Sequence, residues 1–198
     1  FGNAGQMPQI LKQAGMKGII FGRGVSPKLS ENNDSKYSSR YSEINWRSPD
    51  GSSLPSVVFM NWYCNAMEIP QNADAGFWNR AIKDAERFAS TDELLLMNGC
   101  DHQPVQKDLS AALANAREAF PEYNFIHSDF ESYMEACIKA LPDNIETITG
   151  ELISQDSNGW STLVNTASAL VDLKIMNRKC EIALESVAEP LSVIASCL

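Results

Sequence analysis

Three features of the sequence predict an α/β fold. Apolar residues recur at spacings of three and four in several stretches, as on one face of a helix. Between them stand short continuous apolar runs, IIF at 19–21, VVFM at 57–60 and LLLM at 94–97, which are strand-sized. Helical and strand patterns alternate along the chain, as they do where parallel strands are covered by helices. A doubly wound sheet and a barrel both satisfy that alternation.

The elements follow in order. Met7, Ile10, Leu11 and Ala14 share a helical face, with Pro8 suited to the first turn and Gly15 to the end. Ile19, Ile20 and Phe21 make a buried strand, and Arg23 follows it. Residues 26–40 are polar, rich in Ser and Asn, and read as a long loop of the kind that often carries function. Residues 41–46, the turn signal PDGS at 49–52 and residues 54–62 predict a strand–turn–strand excursion. Trp78, Ala81, Ala85 and Phe88 mark a helix over 75–89. ELLLMN at 93–98 reads as a buried strand running into Gly99, Cys100, Asp101 and His102. Val105, Leu109, Leu113, Ala116 and Phe120 mark a helix that Pro121 ends. Residues 123–126 read as a strand, followed by His127. Ser128 and Glu131 fit a capping box that opens a helix through Leu141. Residues 145–153 read as one more short strand. The polar stretch 154–160 marks a domain boundary, and Leu163 to Val187 steps by threes and fours as a long amphipathic helix, interrupted near Pro190 and resumed over 191–198.

Composition narrows the function. Of 198 residues, 25 are Asp or Glu and 16 are Lys or Arg, a net charge of −9 that disfavours non-specific binding to nucleic acid. No apolar run approaches the roughly 20 residues of a membrane span. The five cysteines include no C-x-x-C pair, so a disulfide framework or zinc knuckle is not expected, and a reducing cytoplasmic setting is. With His102 and His127 the only histidines, no metal site built wholly within this stretch is expected. No phosphate-binding glycine motif follows any strand.

Ligands of parallel α/β folds meet the carboxyl ends of the strands. Arg23; Tyr63, Asn65 and Glu68; Asp101 and His102; and His127 and Asp129 each follow a predicted strand, so all could line one mouth. Such a set suits a polar small ligand such as a sugar. Asp101 is the leading candidate for a general acid, with helix capping as its structural alternative. His102 reads equally as a substrate contact or a supporting group, and His127 as structural. Trp46, at the edge of the polar loop, would stack on a sugar face if exposed and fill the core if buried.

Specific strings carry a resemblance. FGNAGQMPQILKQAGMKGIIFGRGV, INWRSPDGSS, NWYCNAMEIP, MNGCDHQP and GELISQDSNGW resemble glycoside hydrolase family 38, the α-mannosidases, and most closely its bacterial branch containing mannosylglycerate hydrolases. The resemblance runs along essentially the whole chain. It implies part of a seven-stranded-type β/α barrel over residues 1–155, then the start of an all-helical middle domain over 156–198. It implies a retaining glycosidase that cleaves terminal α-mannosides, with zinc held by two His and two Asp. Phe1 and Gly2 match the F-G of a D-x-F-G motif whose Asp is the nucleophile, two residues before Phe1. The metal ligands fall outside this stretch on either side, so the chain resembles an internal piece of a larger enzyme, inactive alone. Asp101 matches the acid/base Asp, and Arg23 an active-site Arg. Tyr63 and Asn65 fall where relatives hold sugar hydroxyls, and Trp46 and His102 are further candidates for contact with substrate. An anionic substrate, mannosylglycerate or a phosphorylated sugar, would want Arg40 or Arg47 nearby. A carbohydrate-binding piece without catalysis is the alternative. The partners implied are an α-mannoside, the rest of the parent polypeptide and, in an oligomer, further copies of the protein. The tail departs from the family at Ala169-Leu170, where relatives often read Ser-Arg.

Overall fold

The computed structural model describes residues 3–28, 37–153 and 170–197. The boundary stretch 154–160, the start of the long helix at Leu163 and the F-G pair at Phe1 and Gly2 lie outside them. The chain divides into two compact units, residues 2–162 and residues 163–198 together with Phe1.

The larger unit is α/β around a mixed sheet. Its strands are β1 (Ile19–Phe21), β4 (Glu43–Arg47), β5 (Ser53–Val58) and β6 (Thr147–Thr149), in the order β1-β5-β4-β6. Strand β1 lies parallel to β5, and β6 parallel to β4. The excursion predicted at 41–62 is the antiparallel hairpin β4–β5, with Glu43 opposite Val57 and Arg47 opposite Ser53. That hairpin makes the sheet mixed, where alternation alone predicts a wholly parallel one. A separate two-stranded sheet pairs β2 (Ser26–Pro27) with β3 (Ser38–Ser39), so the long loop is anchored at both ends.

Alternation along the strands divides the core between the two faces of the sheet. Ile44, Trp46, Val58 and Ile148 turn to one side, where Val25, Met60, Phe88 and Leu152 join them and Met7, Ile19 and Phe21 pack on. Val57 and the half-buried Ile20 turn to the other, against Tyr133, Met134 and Cys137 of α4 (Phe130–Ala140). A third cluster joins Trp78 and Ile82 of α2 (Ala75–Glu86) to Ala112, Leu113 and Ala116 of α3 (Leu109–Ala119).

Helix boundaries follow local chemistry. In α1 (Met7–Gln13), Pro8 stands at the start, and Gly15 at φ +81° lets the Met16 N–H turn back to the Leu11 carbonyl at 2.9 Å. Asp74 caps α2 by accepting from the Phe77 N–H at 2.6 Å. The cap of α4 is Asp129, accepting from the Ser132 N–H at 2.8 Å, and not the predicted Ser128. An ionised carboxylate at a helix start accepts more strongly than a hydroxyl. Those bonds hold the Asp129 carboxyl below its ordinary range. Gly24 has φ +109°, and a Cβ there would stand 2.7 Å from the Leu152 carbonyl oxygen, so the chain can pass only as glycine.

Two predicted strands are absent as strands. Residues 93–98 alternate as a strand would: Leu94 and Leu96 pack on the α2–α3 cluster, Leu95 on the α4 cluster. Among the described residues, however, they have no neighbouring ladder, and their bonds go to a side chain described below. Residues 123–126 bury only Phe125, whose carbonyl accepts from Arg117 Nε at 2.8 Å.

In the second unit, α5 (Val171–Ala183) passes through a π-helical segment, Leu184–Ala188, into α6 (Glu189–Ser196). The interruption expected near Pro190 is thus a widened turn just before it. Proline has no N–H and its ring crowds the carbonyl four residues back, here Ser186. The Glu189 N–H bonds the Leu184 carbonyl instead. No helix of the described residues is long and apolar enough to cross a membrane.

Burial pushes the Cys137 thiol up from 9.0 to about 11; the charge of Glu43 adds, the Tyr133 hydroxyl opposes and the charge of Glu93 adds. A raised thiol favours the fold fully below its unfolded value, and that contribution is lost as pH rises through the folded value. Denaturant unfolding should therefore show the parent losing stability relative to Cys137→Ala between pH 9.0 and about 11. Parallel pH profiles for the two proteins would contradict it.

Candidate active site

Because β1 and β5 are parallel and in register, with Phe21 opposite Val58, both chains leave the sheet at one edge. Arg23 comes from the first and Trp62 and Tyr63 from the second. The Arg23 guanidinium carbon lies 4.9 Å from the centre of the Trp62 ring, a cation–π contact. The Trp62 and Tyr63 rings follow at 4.6 Å and 41°. The Asp101 carboxylate lies near enough to the Tyr63 hydroxyl to act on it. Burial pushes that hydroxyl up, and the nearby charge of Asp101 pushes it further. Arg23, Trp62, Tyr63 and Asp101 therefore form one continuous row, and Asp101 itself is exposed.

The backbone is strained around this row. Trp62 at φ +75°, Glu68 at +58° and His102 at +65° all adopt left-handed conformations without being glycine. Such residues cost of order 1–3 kcal/mol each and gather at functional sites, where the surroundings over-determine them. His102 is exposed beside Asp101.

Asn65 serves the backbone. Its amide oxygen accepts from the Met97 N–H at 2.7 Å and its Nδ2 donates to the Leu95 carbonyl at 3.0 Å. It thereby supplies the pairing that 93–98 lacks. The Ala66 N–H adds a bond to the Met97 carbonyl at 3.1 Å. Asn98 and Gln106 extend the clasp: Asn98 Oδ1 accepts from the Glu68 N–H, and Gln106 Oε1 from Asn98 Nδ2 and the Ile69 N–H. Together these amides fix the segment that ends at Asp101 against the segment that begins at Tyr63. Sequence reading passes over Asn98 and Gln106, whose only signal is uncharged amides flanking an apolar run.

Asn65→Ala should lower stability by about 1–3 kcal/mol in denaturant unfolding, since it strands a half-buried N–H and carbonyl. A variant as stable as the parent would show that the clasp holds nothing.

The remaining candidates separate. Trp46 is not at the mouth. It is 1% exposed, pairs with Leu54 toward the opposite edge of the sheet, and donates its Nε1–H to the Gly150 carbonyl at 2.8 Å. An aromatic inside the core cannot stack on a ligand, so the sugar-contact reading of Trp46 is corrected to a core one. Arg47, opposite Ser53, also lies at the far edge, whereas Arg40 precedes β4 on the mouth side and is exposed over the Tyr41 ring at 5.5 Å. Asp129 is occupied as a cap, and His127 is exposed. Asn3, which sequence reading did not single out, donates its Nδ2 to the Arg23 carbonyl at 2.6 Å. Its backbone also bridges to Leu152.

Among the described residues, no group of three or more His, Cys, Asp and Glu side chains is placed to hold a metal ion. The zinc implied by the resemblance has no site built from them.

Comparison with known proteins finds a family, a relative and solved structures that the chain resembles. Residues 1–160 match the N-terminal domain of the glycosyl hydrolases family 38. A protein of Halalkalibacterium halodurans, named "Putative mannosylglycerate hydrolase", is 48% identical over 198 residues, 98% of this chain and 22% of its own length. The crystal structure of an alpha-mannosidase from Enterococcus faecalis superposes with a TM-score of 0.77 at 50% identity, over 87% of this chain and 19% of that one. The chain thus spans about a fifth of the length of these relatives.

Proposed function

Since the chain belongs to the glycosyl hydrolases of family 38, we propose that it supplies one wall of a glycosidase site that cleaves terminal α-mannosides with retention. The observation that carries this reading is the row Arg23–Trp62–Tyr63–Asp101 just beyond the ends of β1 and β5, in a chain 50% identical to an alpha-mannosidase. In this reading Asp101 protonates the departing glycosidic oxygen, then deprotonates the incoming water. Tyr63 orients the carboxyl through its hydroxyl. Arg23 and the aromatic rings offer a cation and flat faces to sugar hydroxyls and ring. His102 stands at the outer end of the row, where an aglycone would leave.

The nucleophile is the Asp that the resemblance places two residues before Phe1. The bond from Asn3 to the Arg23 carbonyl supports this, because it ties the incoming chain beside Arg23. A retaining pair of carboxyls stands about 5–5.5 Å apart, with the sugar between them. The barrel architecture and the helical middle domain are part of the same proposal, as is a cytoplasmic setting, on five cysteines without a C-x-x-C pair. Zinc, if the longer protein binds it, is held by residues outside the described ones.

A second reading within the family is hydrolysis of mannosylglycerate or a phosphorylated sugar. The name of the 48% identical relative favours the first of these. Arg40 is then the cation on the mouth side to meet an anionic aglycone.

The deciding experiment is proton NMR of the first product formed by the full-length protein from an aryl α-mannoside and from mannosylglycerate. The α-anomer of mannose should appear first. A first-formed β-anomer would overturn retention, and binding of mannose without turnover of either compound would favour a binding module.

A further inference from the structure

Asp101 and His102 belong to a short loop, residues 99–105, that runs from Asn98 to Gln106. Residues 101–105 are exposed, and a turn bond from the Gln103 N–H to the Cys100 carbonyl at 3.3 Å lies within the loop. What places the loop on the protein is its neck, where Asn98 Nδ2 donates to Gln106 Oε1 at 2.9 Å.

Gln106 uses every hydrogen-bonding position of its amide. Oε1 accepts from Asn98 Nδ2 and, at 3.1 Å, from the Ile69 N–H. Nε2 donates to the Ile69 carbonyl at 2.7 Å and to Asp108 Oδ1 at 2.9 Å. The opposite orientation of the amide would set its oxygen against a carbonyl and a carboxylate, so the orientation is fixed. The side chain engages both backbone groups of Ile69, as a neighbouring strand would, and Ile69 is buried in the α2–α3 cluster. Asp108 stands at the start of α3, and its carboxylate takes the Gln106 bond rather than capping the helix. The neck is thus anchored to the core through one residue and to a helix through another.

The same pair bears on the strained backbone. Glu68, at φ +58°, gives its N–H to Asn98 Oδ1 at 3.1 Å and directly precedes Ile69. His102, at φ +65°, directly follows Asp101. Left-handed conformations of non-glycine residues persist only where the surroundings over-determine them. Once the neck is open, His102 is free to relax toward ordinary backbone angles, and the chain on either side turns with it.

We propose that Gln106 is a positioning residue for Asp101: it closes the neck of the 99–105 loop and so sets where the Asp101 carboxyl meets the glycosidic oxygen. The proposal rests on the acid/base role given to Asp101 under the function proposed above. Gln106 is half-buried and bonded at all four positions within the protein, which leaves it no donor or acceptor for substrate. Its loss should therefore act on proton transfer and not on binding.

The test is Gln106→Met in the full-length protein, which keeps the length of the side chain and removes all four bonds. For an alkyl α-mannoside, kcat should fall about 10²-fold, the cost of misplacing a reacting group by about 1 Å, with KM unchanged. The burst rate of dinitrophenolate from a dinitrophenyl α-mannoside should stay near the parent's, because that leaving group departs without a proton. Asn98→Asp keeps the acceptor for the Glu68 N–H and loses the donor to Gln106. It should show the same split, and the double variant should fall no further than the worse single one, since both act through one bond. A crystal structure of Gln106→Met should show Asp101 displaced by about 1 Å. An Asp101 that stays in place, an unchanged kcat or equal losses on both substrates would overturn the proposal. Should Gln106→Met not fold, Asn98→Asp decides by the same measurements. If the parent turns over no mannoside, the proposed function fails, while the crystal structure still decides whether Gln106 places Asp101.

Discussion

Asp101→Asn, made in the full-length protein, should cut kcat/KM for an alkyl α-mannoside by about 10²–10⁴-fold, the range that a positioned proton donor contributes. The alkoxide leaving group cannot depart without a proton, and an amide has none to give. A dinitrophenyl mannoside should lose far less in its first step, because that leaving group departs as the anion. Its second step should still be slow, since the amide would not deprotonate water. Added azide attacks without losing a proton, so it should restore turnover and yield mannosyl azide. This split separates a proton-transfer role from a structural one: unfolding would depress both substrates alike, and azide would not help. Normal turnover of the alkyl mannoside by the variant would remove Asp101 from the chemistry altogether.

Trp46→Ala should destabilise the larger unit by about 3–5 kcal/mol, as large aromatic truncations in cores do. The indole is 1% exposed, packs on Phe21 with ring centres 5.4 Å apart, and bonds the Gly150 carbonyl. Trp46→Phe is the sharper variant. It keeps an aromatic of smaller size and leaves the Gly150 carbonyl without its donor, for about 1 kcal/mol or more. Denaturant unfolding should register that loss while KM for mannosides stays unchanged. A raised KM with unchanged stability would return Trp46 to the sugar.

Much of this fold is legible in the sequence wherever a local rule suffices. Pro8 and Gly15 bracket α1, PDGS turns the hairpin, and the apolar periodicities of α2 and α3 fill one shared core cluster. What fails does so because its partner is remote. The run at 93–98 has the alternation of a strand, but strand status also needs a ladder, and here the neighbour is chiefly one amide side chain 30 and 32 residues away, with a single backbone bond from Ala66. Trp46 shows the same limit: a pattern of two places it on one face of a strand, yet remote residues such as Val25, Phe88 and Leu152 close that face, and Gly150, 104 residues on, takes its N–H. The row at the mouth is legible by strand-end logic for Arg23 and Tyr63, whereas Asp101 follows a run that pairs with no ladder among the described residues. Trp62 is not legible, since it joins as the stacking residue between Arg23 and Tyr63 through a left-handed backbone that no propensity favours.

The pairing of β4 with β6 has a consequence for how the protein is made. Asn45, Trp46 and Arg47 meet Thr147, Ile148 and Thr149 across about a hundred residues of chain, and Asn3 meets Leu152 across still more. During synthesis the β4 edge, with the face of Trp46, stays open until residue 149 has left the ribosome. Contacts of such separation are slow to form, and an open apolar edge meanwhile invites pairing with other chains. Nascent chains whose emerged part ends between residues 60 and 145 should aggregate or hold chaperones, and emergence of residue 149 should release them.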